Sequence, residues 1–141
     1  MDNQTLLDLL LSQHRQLRED LASIDNELAK TSPDFQNILS GLSRYKDNLA
    51  GHLQTEDRLF YPLLLKQLAE NRLAVENTRR FIGEMDVINI HVQVFFEQYA
   101  SLETLSSDPD AFARDFHAMS REILLRISAE EEGVYAYIRL L

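Results

Sequence analysis

Leu7, Leu10, His14, Leu17, Leu21, Ile24 and Leu28 recur at steps of three and four near the start of the chain, with charged residues filling the positions between them. That period is the signature of an amphipathic helix, and it predicts a first helix from about Asn3 to Lys30. Ser32, Pro33 and Asp34 read as a cap, a first-turn proline and an acid favoured by the helix dipole, so a second helix starts there. Its apolar face runs Leu42, Tyr45, Leu49, His52, Glu56, Leu59, Leu63, and the helix reaches about Gln67, with Pro62 expected to bend or break it locally. A third helix follows the polar stretch Ala69-Glu70-Asn71 and carries Phe81, Glu84, Ile88, His91, Phe95 and Gln98 on one stripe. Ser106-Ser107-Asp108-Pro109-Asp110 repeats the capping pattern and opens a fourth, with Phe112, Phe116, Met119, Ile123, Arg126, Glu130 and Tyr137 inward. Four long amphipathic segments joined by short connections predict an all-α fold, an up-down-up-down antiparallel four-helix bundle, spanning residues 1–141 as a single domain.

The polar members of these stripes change the picture. A histidine or carboxylate on a core face is costly to bury unless something pairs with it. Counted from the predicted turns at roughly 1.5 Å per residue, His14, His52, His91 and Arg126 all fall at one depth, within about a turn of each other. His14, His52, Glu56, His91 and Glu130 therefore form one expected layer, an imidazole–carboxylate set of the kind that holds a transition metal and not calcium or magnesium. Taken singly, each histidine reads as an ordinary core residue satisfied by a neighbour; their convergence with two glutamates is what points to a metal.

Composition narrows the partners. The 141 residues carry a net charge of -9, which disfavours nucleic acid and anionic membrane surfaces as partners. The absence of cysteine removes disulfides, thiol catalysis and zinc–thiolate sites. Met1-Asp2-Asn3-Gln4-Thr5 lacks the basic start of a signal peptide, and a cytoplasmic protein is the expectation.

His14, the segment His52-x-x-x-Glu56 followed by Phe60-Tyr61-Pro62, His91 and Glu130-Glu131-x-x-Val134-Tyr135 resemble the hemerythrin-like (HHE cation-binding) domain over essentially the whole chain. The resemblance implies a non-haem di-iron centre in a four-helix bundle. His14 and His52 would hold one metal, Glu56 and Glu130 would bridge, and His91 would face the second metal. It also implies oxygen binding, sensing of oxygen, nitric oxide or iron, or iron handling. The chain departs from the pattern on the fourth helix, where Arg126 stands in place of the histidine expected four residues before Glu130, and around His91, flanked one turn away by Val87 and Phe95. A guanidinium is permanently charged and is no ligand. Arg126 is instead expected to pair with Glu56 and Glu130 where the second metal would be, leaving the site mononuclear or empty.

Two functions follow. One is a metal-binding protein, with non-haem iron and a small diatomic ligand. The other is a metal-free scaffold that works through a protein partner or homodimer, with Arg126 replacing the second metal. Enzymatic oxidase- or peroxidase-type chemistry is the least favoured reading, since a two-metal mechanism needs both metals held. Glu84 is expected in a solvent-facing or supporting role, His117 on the surface, Tyr61 and Tyr135 at the core edge, and Glu131 and Glu132 on a solvated face.

Overall fold

The structure, a computed structural model, describes residues 1–140 and is helical throughout, with no strand among the described residues. Helix α1 is Asn3–Leu28, α2 is Phe35–Thr55, α3 is Tyr61–Gln67, α4 is Arg72–Gln98, α5 is Leu102–Ser106, α6 is Pro109–Glu132 and α7 is Val134–Arg139. The four expected segments are all present, but two of them are broken and a short extra helix, α5, precedes α6. Helix α1 packs against α2 and α6, and α4 against α6.

Local chemistry sets the boundaries. Asp34, and not Ser32, caps α2, because its carboxylate accepts from the backbone N–H of Gln36 and Asn37. Asn71 caps α4 through the N–H of Ala74, and Asp108 caps α6 with Pro109 in the first turn. Ser101 and Thr104 form a reciprocal capping box that nucleates α5.

Between α2 and α3 the backbone makes a π-helical turn over Glu56–Phe60, with the Tyr61 N–H donating to the Glu56 carbonyl. Pro62 accounts for its position: it has no N–H to continue the ladder, and its ring crowds the carbonyl four residues back. The added residue rotates everything downstream by about 100°. The buried series is consequently His52, Glu56, Phe60, Tyr61, Leu64 and Leu68, while Leu59, expected inward, is 48% exposed. A second break lies at Gly133, where a Cβ would stand 2.8 Å from the Ala129 carbonyl oxygen. After this break Val134, Tyr135 and Ile138 face inward, and the expected Tyr137 is only half-buried.

On α4 the buried face is Ala74, Thr78, Met85, Val92, Phe95 and Phe96, so the expected stripe was phased wrongly by about one residue. Two apolar clusters result. One is built around Leu17, Leu42, Tyr45, Phe95, Phe112 and Ile123, the other around Leu10, Phe60, Leu64, Val134 and Tyr135. The expected polar layer lies between them, with His14 flanked along α1 by Leu10 and Leu17.

Candidate metal centre

His14, His52 and Glu130, from α1, α2 and α6, bring ligand atoms within 4.8 Å of one another, and all three are buried. His14 Nε2 stands 3.2 Å from His52 Nε2 and 3.1 Å from Glu130 Oε1, and Glu56 Oε1 is 3.3 Å from His52 Nε2. Four of the five residues expected in the layer therefore meet.

The fifth, His91, does not. It is exposed and its Nδ1 hydrogen-bonds Glu122 at 2.7 Å. Val92 takes the inward position, and one residue of phase turns the imidazole about 100° toward solvent. Depth along a helix had placed His91 at nearly the right level, but depth carries no information about rotation. Glu84 is exposed, and His117 lies on the surface paired with Asp25, both as expected.

The outer partners of the two histidines fix their tautomers. His14 Nδ1–H donates to Glu131 Oε2 at 2.7 Å, and Arg18 holds that carboxylate from the far side with bonds of 2.9 and 3.2 Å. His52 Nδ1–H donates to Gln13 Oε1 at 2.8 Å. The Gln13 amide can only be this way round, because its NH2 donates to Thr55 Oγ1, whose own proton goes to the Gly51 carbonyl. With the Nδ1 protons so committed, the two Nε2 atoms face each other beside Glu56, Glu130 and the Tyr135 hydroxyl, which is 3.1 Å from His14 Nε2, and the cluster favours a positive charge in its midst. This donor set fits a metal ion, and carboxylate- or amide-oriented histidines are the usual support of one.

Protons supply that positive charge when no metal does. Burial pushes His52 down, but its hydrogen bonds to Glu130 and Glu56 outweigh this and raise it to about 9. Burial raises Glu56 to about 8, against the bond from His52 and with the Glu130 charge adding to the rise. Burial also opposes ionisation of Glu130, yet the polar groups of His14, His52 and Glu56 around it hold it below the ordinary carboxylate range. Without a metal, His52 and Glu56 thus hold their protons more tightly than free side chains do, beside a Glu130 that favours its ionised form.

Two tyrosines complete the enclosure and are more than core-edge packing. The Tyr135 ring stacks on His14 with centroids 5.0 Å apart, and its hydroxyl donates to Glu56 Oε2 at 3.0 Å. The Tyr61 hydroxyl donates to Glu130 Oε2 at 3.1 Å and accepts from Arg126 at 3.2 Å. Arg126 is buried as expected, with its Nε 3.7 Å from Glu130 Oε2 and its guanidinium 3.8 Å from the centre of the Phe81 ring. It reaches Glu130 and not Glu56, and its Nε has no hydrogen-bond partner. A cavity of about 60 Å³ is lined by Leu53, Glu56, Asp57, Tyr61, Ile82, Met85, Asp86 and Asn89, so exposed and buried residues share its wall.

Glu131 and Gln13 were not anticipated. Glu131 looked like part of a solvated run, and its carboxyl is in fact drawn below the ordinary range: burial raises it, but Arg18 and His14 bind the charged form more strongly. The available signal was Arg18 one turn after His14 on α1, a cation beside an imidazole that both require an acceptor from a facing helix.

A family model described as the hemerythrin HHE cation binding domain matches residues 5–138. No curated protein and no solved structure matches the chain significantly. No helix among the described residues is long and apolar enough to cross a membrane.

Proposed function

We propose, because the chain belongs to the hemerythrin HHE cation-binding family, that it holds a single non-haem iron ion through His14, His52, Glu56 and Glu130 and uses it in sensing or carrying a small diatomic ligand, or in iron handling. The observation that carries this reading is the facing pair of Nε2 atoms, 3.2 Å apart beside Glu56 and Glu130, with each Nδ1 proton already committed to Glu131 or Gln13. Mixed imidazole and carboxylate donors suit iron. When bound, iron supplies a coordination position for oxygen or nitric oxide.

The remaining roles belong to the chain. Glu131 and Gln13 hold the imidazoles in the ligand tautomer. Tyr135 and Tyr61 bond the outer carboxylate oxygens and close the site to bulk water. The small cavity lined by Glu56 has room for only a few small molecules, which suits a diatomic ligand. Arg126 and the surface position of His91 support one ion and not two, since the first puts a fixed positive charge beside Glu130 and the second removes a histidine from the layer. In this reading the long segments run as an up-down-up-down antiparallel four-helix bundle around the site.

One observation favours the metal-free scaffold instead: Arg126 already gives Glu130 a buried counter-charge. Anaerobic titration of metal-stripped protein with ferrous iron separates the two. The proposal expects one equivalent bound and thermal stabilisation of about 2.7 kcal/mol at a hundredfold excess over the dissociation constant, both lost in His52→Ala. A wild-type chain that takes up no iron and does not shift its melting temperature establishes the scaffold reading.

A further inference from the structure

Helix α4 is apolar on two faces. Opposite its buried face, positions Leu73, Glu76, Arg80, Gly83, Val87, Ile90, Val94 and Glu97 alternate in steps of three and four, and every one is exposed. Val87, Ile90 and Val94 stand 54%, 62% and 55% exposed in mid-helix. A solvated helix face has no reason to carry β-branched residues at heptad spacing, whereas a helix–helix seam does.

The order of residues along this seam specifies what covers it. In an antiparallel pair of identical helices related by a two-fold axis between Val87 and Ile90, each position meets the one that makes their numbers sum to the same value. Val87 then faces Ile90 of the partner subunit, and Gly83 faces Val94 of the partner subunit. Arg80 faces Glu97 of the partner subunit, and by symmetry Glu97 faces Arg80 of the partner subunit. The apolar centre matches itself and the flanking charges are opposite in sign at both ends, the complementarity an isologous interface requires. Gly83 contributes through its lack of a side chain: nothing lies within 4 Å of a Cβ built there, so the helices can approach closely opposite Val94. No ion pair within the chain engages Arg80 or Glu97 among the described residues.

We propose that this face of α4 is a homodimer interface, two copies of the chain packing α4 against α4 in antiparallel register. The seam is independent of the metal centre, whose ligands all lie on α1, α2, the π-helical turn and α6.

Sedimentation equilibrium on the full chain between about 10 and 500 μM tests it. The wild type is expected to dimerise over this range. Ile90→Glu should weaken the dimer by about 100-fold or more, as expected for a central apolar contact. Arg80→Glu should weaken it by about 10-fold through two repelling Glu–Glu contacts, and Arg80→Glu/Glu97→Arg should restore it. Every substituted position is exposed, so circular dichroism should show an unchanged fold. A wild type that stays monomeric at 500 μM overturns the proposal, as does a dimer indifferent to Ile90→Glu or a double variant no tighter than Arg80→Glu alone.

Discussion

Truncating Arg126 should destabilise the metal-free protein by about 3 kcal/mol. The guanidinium is buried, pairs with Glu130 at 3.7 Å, donates to Tyr61 at 3.2 Å and stacks on Phe81. Removing one partner of a buried ion pair ordinarily costs about 3–5 kcal/mol, because the other charge is left uncompensated. The low end applies because Glu130 keeps the bond from Tyr61 and has the His52 imidazole 3.7 Å away, and because Arg126 Nε is itself unsatisfied. The stacking on Phe81, about 0.5–2 kcal/mol, is included in that total. For a chain of this length the loss corresponds to a fall of about 6–12 °C in melting temperature. Urea and thermal unfolding in the presence of a chelator measure it. Arg126→Met restores most of the packing but not the charge and should remain clearly less stable than wild type, whereas Arg126→Met/Glu130→Gln, which removes both charges, should recover much of the loss. A change below about 0.5 kcal/mol in Arg126→Ala would refute the assignment of Arg126 as the counter-charge of Glu130.

Glu131→Ala should lower iron affinity by about 10–100-fold without changing the stoichiometry, because His14 loses the acceptor that fixes its tautomer; a ferrous titration reads it, and unchanged affinity would remove Glu131 from the site. The metal-free protein should lose stability as pH rises. Both His52, raised to about 9 from an ordinary 6.5, and Glu56, raised to about 8 from 4.5, bind protons more tightly folded than unfolded. Their contribution is therefore full at about pH 4.5 and is gone once pH passes 9. The fall is steepest between 6.5 and 8, at up to about 1.4 kcal/mol per pH unit for each proton, in urea titrations at fixed ionic strength. Iron affinity should run the other way, since binding displaces those protons. Gly133→Ala should cost about 1–3 kcal/mol, because its Cβ meets the Ala129 carbonyl oxygen at 2.8 Å, and the strain should be visible as a lower melting temperature.

The helices themselves were legible because α1, α2 and α6 each have one apolar face, and because Pro33 and Pro109 with the acids beside them marked where α2 and α6 begin. His14, His52, Glu56 and Glu130 were legible for the same reason: on a helix with a single apolar face, a polar residue in the stripe must point inward. Helix α4 has two such faces, and periodicity cannot say which is buried, so His91 was placed in the core when Val92 occupies that position. The π-helical turn was hidden for a different reason. Pro62 announced a disturbance, but a proline can kink, end or over-wind a helix, and only packing selects the turn that brings Tyr61 to Glu130. Glu131 and Gln13 escaped because they sit at the edge of the buried stripes, where exposure is decided by a facing helix and not by their own.

The proposed task of His14, His52, Glu56 and Glu130 is to hold one metal ion. Elemental analysis of the full chain, purified without chelator and without a histidine tag, measures this directly. The expected result is close to one iron per chain, falling to background in His14→Ala and His52→Ala and unchanged in His91→Ala. Metal-free wild-type protein that also refuses iron on reconstitution would contradict the account, and two ions per chain would contradict the place given to Arg126.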